Sequence, residues 1–209
     1  MSEDFLRLAA PLPCQFYQRS DVVQIAQELL GKVLVTYIEG QLCAAKIVET
    51  EAYCGATDKA CHAHMNRRTK RTEIMFAAGG VAYVYLCYGI HSLFNIVTNQ
   101  EGNADAVLIR AGEPLYNLPA MRQRRGISNL DDFRLTAGPG ALAKAMGITT
   151  AHYGVSLTDK TAIWIIDFES VSPEYIIKSP RVGVSYAGED ALLPWRFRIK
   201  GNKWCSPAK

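Results

Sequence analysis

VAYVYLCYGIHSLFNIVTNQEGNADAVLIR, residues 81–110, decides the architecture. Within it Val81–Leu86, Leu93–Thr98 and Ala106–Arg110 are apolar, aromatic and β-branched runs of strand length. Only short turns separate them, one containing Gly89 and the other Gly102. A parallel crossover needs about a dozen residues, so these segments are expected to pair antiparallel. Upstream, Val33–Ile38 and Leu42–Val48 flank Glu39, Gly40 and Gln41 and read as a hairpin, while Ala162–Asp167 and Phe197–Lys200 are further strand candidates downstream. Helical spacing and caps place helices from Ser20 or Asp21 to Leu30 with Gly31 at C′, near Leu118–Arg125, and over Ala141–Met146 before Gly147. The expected fold is α+β, a single domain made mainly of an antiparallel curved β-sheet flanked by helices. Residues 1–20, with Pro11, Pro13 and no period, are expected to form an N-terminal arm, leaving 21–209 as the domain.

A chain of 209 residues has the size of one domain, and 49% hydrophobic with 21% charged residues excludes an acidic disordered chain. The net charge of +3 gives only mild support for a polyanionic partner. Its distribution says more: Arg67, Arg68, Lys70 and Arg71 cluster, as do Arg122, Arg124 and Arg125, and again Arg196, Arg198, Lys200 and Lys203. Each group alone reads equally well as a solvated face, but together they favour contacts with nucleic-acid phosphates. The six scattered cysteines and the lack of a charged leader with an apolar segment lead us to expect reduced thiols inside a cell. No apolar run reaches the ~18 residues of a membrane span, so no membrane partner is expected.

Glu49, Thr50, Glu51, Ala52 and Tyr53 follow an apolar strand, and extension through Tyr53 puts Glu49, Glu51 and Tyr53 on one face. A carboxylate held rigidly at a strand end can deprotonate water and stabilise an oxocarbenium-like transition state, as glycosidic hydrolysis requires. A solvated strand edge explains the same two glutamates. Tyr83, Tyr85 and Tyr88 lie within six residues, with Tyr83 and Tyr85 on one face and Tyr88 opposite or in the Gly89 turn. Stacking a base on such a ring is worth ~1–3 kcal/mol, similar to the cost of unstacking a nucleotide. An ordinary aromatic strand is the plainer reading. Cys54, Cys61, His62 and His64 are zinc-ligand types, but Cys61 and His62 are adjacent and no Cys-x-x-Cys pair occurs, so no metal or other cofactor is expected. Gly138, Pro139 and Gly140 fit either a phosphate-gripping turn of the helix-hairpin-helix glycosylases or a tight turn into a helix.

Over Glu49–Tyr53, Gly55, Asp58, Ala60, His62, Ala63, Thr69, Arg71, Met75, Phe76, Tyr83, Val84, Tyr85, Tyr88, Gly89 and Asn95, the sequence resembles the alkyladenine (3-methyladenine) DNA glycosylase family. The match continues through Val107–Ala111, Glu113, Pro114, Gly138–Gly140 and Arg181–Val184. The resemblance implies a base-excision-repair enzyme that flips alkylated purines (3-methyladenine, 7-methylguanine, with hypoxanthine or ethenoadenine as further candidates) out of double-stranded DNA. It implies that Glu51 activates the attacking water and Arg110 helps to hold it, with Tyr53, Ala60, His62 and Tyr85 around the flipped base. Asn95 is then the residue that excludes the exocyclic amine of guanine, and Tyr88 the plug inserted into the duplex. Arg67, Arg71, His91, Arg122, Lys178 and Arg181 are the candidates for backbone phosphates. No lysine stands at the matched catalytic position, so water attack and an abasic product are expected, from a monomer in the cytoplasm or nucleoid, or the nucleus of a eukaryote. Met65, Asn66 and Arg67 replace a stretch that is usually glycine-rich in the family. Ala77, Ala78, Gly79 and Gly80 replace one that usually carries prolines, which is expected to loosen the approach to the tyrosine strand. The alternative from another class is a damaged-DNA-binding module without chemistry.

Overall fold

A computed structural model describes residues 1–129 and 132–207. Helices α1 (Glu3–Leu8), α2 (Cys14–Tyr17) and α3 (Val22–Glu28) precede strands β1 (Val33–Ile38) and β2 (Gln41–Tyr53). After a long loop come β3 (Ala82–Cys87), β4 (His91–Thr98) and β5 (Asp105–Tyr116), then helices α4 (Leu118–Arg125) and α5 (Pro139–Met146). Strands β6 (Ile163–Ile166), β7 (Ile176–Ser179) and β8 (Arg196–Ile199) follow. The sheet runs β3-β4-β5-β2-β1-β6, with β8 bridging β2 and β7, and these pairings are antiparallel. This is the expected α+β single domain.

Local chemistry sets the helix ends. Asp21 accepts a 2.8 Å hydrogen bond from the Gln24 amide and starts α3. Pro139 stands in the first turn of α5, and Gly147 closes it at φ 77°. Helices α3 and α5 cover one face of the sheet, where Ile47, Ala52, Val107 and Ile109 join the main core. Thr50 Oγ1 donates to the Ala26 carbonyl of α3 at 2.7 Å, which ties that helix to the back of β2. Strand alternation then sends Glu49, Glu51 and Tyr53 of β2 to the opposite face, with Ala106, Leu108 and Arg110 of β5.

Two unpaired residues adjust this face. In the β2–β5 register Ile47 faces Gly112, Glu49 faces Ala111 and Thr50 faces Ile109, which leaves Val48 and Arg110 without partners. A bulge on each strand restores the register while bending both, and it aims Arg110 between the rows of the two glutamates.

Three segments depart from expectation. The first twenty residues, read as an arm, hold two helices of six and four residues, too short to show a period, and bury Leu6, Leu12 and Tyr17. Strand β7 has no sequence signal, because its four residues are largely exposed and stand between Pro173 and Pro180. The stretch Ala77–Gly80 is held rather than loosened: Gly79 donates to the Asn99 carbonyl and Gly80 to that of Val97. A Cβ on Gly79 would meet the Tyr17 carbonyl oxygen at 2.6 Å, so close approach of the chain requires glycine there.

Candidate active site

A cavity of about 470 Å³ opens on the face of β2 and β5 opposite the helices, a volume typical of small-ligand sites. Tyr53, Ala60, His62, Tyr85 and Asn95 all line it, together with Arg110, Arg71, Tyr88 and Tyr186. The extension of β2 through Tyr53 is what brings Glu51 and Tyr53 to this face. Glu51 itself is fully buried behind the lining. Its Oε1 accepts from the Val182 amide at 2.8 Å and its Oε2 from the Tyr53 hydroxyl at 2.7 Å, with Arg110 Nη1 3.3 Å from Oε2. Glu49 lies beside it, bonded to Arg110 Nε and Arg196 Nε, both at 2.8 Å. The solvated-edge reading of the two glutamates is therefore excluded.

The aromatic walls are fixed from behind. Arg181 is buried, and both its terminal nitrogens bond Asp58, one of them at 2.8 Å. Its guanidinium also donates to the Ala52 carbonyl and lies 4.7 Å from the Tyr53 ring centre. The expectation that Arg181 contacts a DNA phosphate is thus corrected, since its charge is already committed to Asp58 and shielded from solvent. Elsewhere in the lining, Arg71 sits 4.7 Å from the Tyr85 ring centre and its Nη2 lies 3.2 Å from His62 Nε2. A guanidinium can only donate, so Nε2 accepts, and Nδ1 carries the proton toward the Tyr83 hydroxyl at 2.9 Å. Burial, aided by the Arg71 charge, pushes the His62 pKa from 6.5 down to about 4, which keeps the ring neutral at physiological pH. Burial likewise raises the Tyr83 phenol to about 12.

The His62 shift sets the sign of a pH effect. Between about 6.5 and about 4 the unfolded chain binds a proton at this histidine that the folded chain refuses. Its contribution to stability is full above 6.5 and is lost as pH falls through that window, by on the order of 2 kcal/mol after allowance for partial solvation. Urea unfolding from pH 7 to pH 4.5 should show a smaller fall in midpoint for His62→Phe than for wild type, and parallel falls would show that His62 is not the group responsible.

Asn95 is buried and donates from Nδ2 to the Tyr83 and Leu93 carbonyls at 3.1 and 3.4 Å, which fixes its side chain in the cavity wall. Tyr88 stands at the tip of the β3–β4 hairpin, 90% exposed, in the left-handed region at φ 51° and followed by Gly89 at φ 72°. A tyrosine in that conformation costs roughly 1–2 kcal/mol, the kind of strain that collects at functional positions.

The other basic candidates are dispersed. Arg67 is exposed in a depression next to the cavity, together with Lys59 and Arg71. His91 is exposed and packs over Gly140, where a Cβ would come within 3.0 Å of it. Lys178 is exposed on β7 and Arg122 half-buried on α4, and neither lines the cavity. Gly138 is the N-cap of α5, and Pro139 and Gly140 stand in its first turn beside an antiparallel sheet, which disfavours the helix-hairpin-helix reading. Among the described residues no group of three or more His, Cys, Asp or Glu is placed to hold a metal ion. Sequence reasoning gave no role to Asp58 and Val182, though both fall within the family match, and did not single out Tyr186 and Ser206; their roles depend on partners far along the chain.

The departure at 65–67 has a backbone reason for its usual glycines: Met65 and Asn66 both adopt left-handed angles, φ 58° and 54°. Met65 is also 77% exposed, so Met65→Gly should stabilise the fold by roughly 0.5–1 kcal/mol. The expected readout is a Tm rise of about 1–4 °C, and an unchanged or lower Tm would show that the strain is absent.

Known proteins resemble this chain along nearly its whole length. The family model described as Methylpurine-DNA glycosylase matches residues 15–203. A protein of Natranaerobius thermophilus is 43% identical over 195 residues, 93% of this chain and 98% of its own length. One from Chlamydia felis is 44% identical over 192 residues, 92% of this chain and 97% of its own. One from Bacillus licheniformis is 43% identical over 196 residues, 94% and 96% of the two chains. All three carry the name "Putative 3-methyladenine DNA glycosylase". With a family match over nearly its whole length and relatives this similar from end to end, the chain belongs to the methylpurine-DNA glycosylase family.

Proposed function

We propose that this DNA glycosylase acts as a monomer on double-stranded DNA, flips alkylated purines such as 3-methyladenine and 7-methylguanine into its cavity, and hydrolyses the N-glycosidic bond. The observation that carries the reading is a buried carboxylate, Glu51, beside a buried guanidinium, Arg110, behind a cavity walled by aromatic rings. Tyr53 on one side and His62 and Tyr85 on the other stack the base. Water held by Arg110 and Glu51 attacks C1′ as its proton passes to Glu51, and the base nitrogen leaves with the bonding electron pair. A cationic alkylated base departs neutral and needs no further proton. Among the described residues no lysine lines the cavity, which supports water rather than an amine as nucleophile and an abasic site as product.

Tyr88 serves as the plug: the tip of the β3–β4 hairpin presents it to solvent, and insertion fills the space left by the flipped nucleotide. Release of free base from a methylated and a hypoxanthine-containing duplex, with chelator present, tests the assignment. Wild type should release the methylated base, and the second duplex then reports how far neutral lesions are accepted. Tight lesion binding with no release from either duplex would instead support a damage-binding module. In the same assay Tyr88→Ala should lose ~1–3 kcal/mol of lesion-specific binding and much less of nonspecific binding. Equal losses on both would remove the plug.

A further inference from the structure

Glu49 is as deeply buried as Glu51, yet the reaction above gives it no part. Its Oε1 accepts from Arg110 Nε, Arg196 Nε and the Ser206 hydroxyl, at 2.8, 2.8 and 2.9 Å. Its Oε2 accepts from the Ser206 amide at 2.6 Å. Burial opposes its ionisation, but Arg110, the Ser206 amide and Arg196 outweigh burial and hold the carboxyl below its ordinary range. Two carboxylates and two guanidiniums therefore balance in one buried cluster.

The distances within the cluster are unequal in a telling way. Arg110 makes its short, aligned bond to Glu49 and only a 3.3 Å contact to Glu51. It is also the unpaired residue of a bulge, so the sheet ladder alone does not fix where its guanidinium points. Arg196 stands opposite Glu51 in the β2–β8 register, yet its Nε turns to Glu49, and its Nη2 donates to Ser206. The clamp thus closes on Glu49 from β5, from β8 and from the segment after β8.

We propose that Glu49 is a positioning residue for base release: held by Arg196 and Ser206, it fixes the Arg110 guanidinium beside Glu51 and leaves the Glu51 carboxylate available to the attacking water. This inference rests on the assignment of Glu51 as the base. Misplacing a catalytic group by about 1 Å can cost about 100-fold in rate without touching affinity.

The test is single-turnover base release from a methylated duplex under saturating enzyme, alongside equilibrium binding to a duplex carrying a stable abasic-site analogue. The first-order constant belongs to the folded enzyme only, so a purely structural loss does not move it. Glu49→Gln should lower that constant by about 10- to 100-fold with binding unchanged. Ser206→Ala, which keeps every charge, should lower it to a smaller extent. A wild-type constant in Glu49→Gln overturns the proposal, as does a wild-type constant in Ser206→Ala if Glu49→Gln does not fold. Absence of release by wild type would bring down the glycosylase reading itself, a failure visible before any variant is compared.

Discussion

Glu51→Gln is expected to lower the rate of base release by about 10²–10⁴ while leaving affinity for lesion DNA intact or slightly tighter. The size follows from general-base catalysis, because an amide cannot take the proton that the attacking water must lose. Affinity holds because the change removes a negative charge from a protein that meets a polyanion, and because Gln keeps the volume of a fully buried side chain. The surroundings make the substitution an imperfect isostere. Val182 N–H donates to one oxygen, while the Tyr53 hydroxyl donates to the other and Arg110 Nη1 lies 3.3 Å from it. Either orientation of the amide sets its NH₂ against one of these donors, at a cost of about 1–3 kcal/mol in stability. Rate should therefore be measured at saturating enzyme, with a thermal melt on the same preparation. A constant within tenfold of wild type would mean that Glu51 is not the base.

Asp58→Asn is expected to destabilise the fold strongly. Asp58 and Arg181 are both buried, and the carboxylate also accepts from the Ala60 amide at 2.9 Å. The pair fastens the loop after β2 to the segment around Val182, and Arg181 backs the Tyr53 wall. Neutralising Asp58 strands a guanidinium away from water, a loss of about 3–5 kcal/mol. For a chain of this size that corresponds to a Tm drop of roughly 10 °C. Replacing both partners, Asp58→Leu with Arg181→Met, should recover part of the loss, because the penalty comes mainly from the unpaired charge. A drop under about 2 °C in Asp58→Asn would show that the pair contributes no more than a surface contact.

The elements with strong local signals were legible before the fold was known. Alternation and short turns announce β3, β4 and β5, and Pro139 with Gly147 frames α5, whereas the Asn117 and Gly126 caps of α4 came only with the structure. The common face of Glu49, Glu51 and Tyr53 follows from period two once β2 is extended. What sequence hides is pairing at a distance. Arg181 reads as one more surface cation until Asp58, 123 residues away, is seen to neutralise it. Glu49 reads as a spare carboxylate until Arg196 and Ser206 arrive from the other end of the chain. β7 escapes because an exposed edge of four residues has no apolar period to betray it.

The reach of the Glu49 clamp also says something about time. Its bonds to Ser206 close across 157 residues, so no partly folded chain can make them from neighbouring segments. Contacts of such long separation bear a loop-closure cost that local hairpins avoid, and a fold rich in them forms more slowly. Until residues 196–206 dock, Glu49 lacks its partners on β8 and on the segment beyond, and Arg110 is held from one side alone. The site is therefore complete only once β8 and the segment after it have joined the sheet.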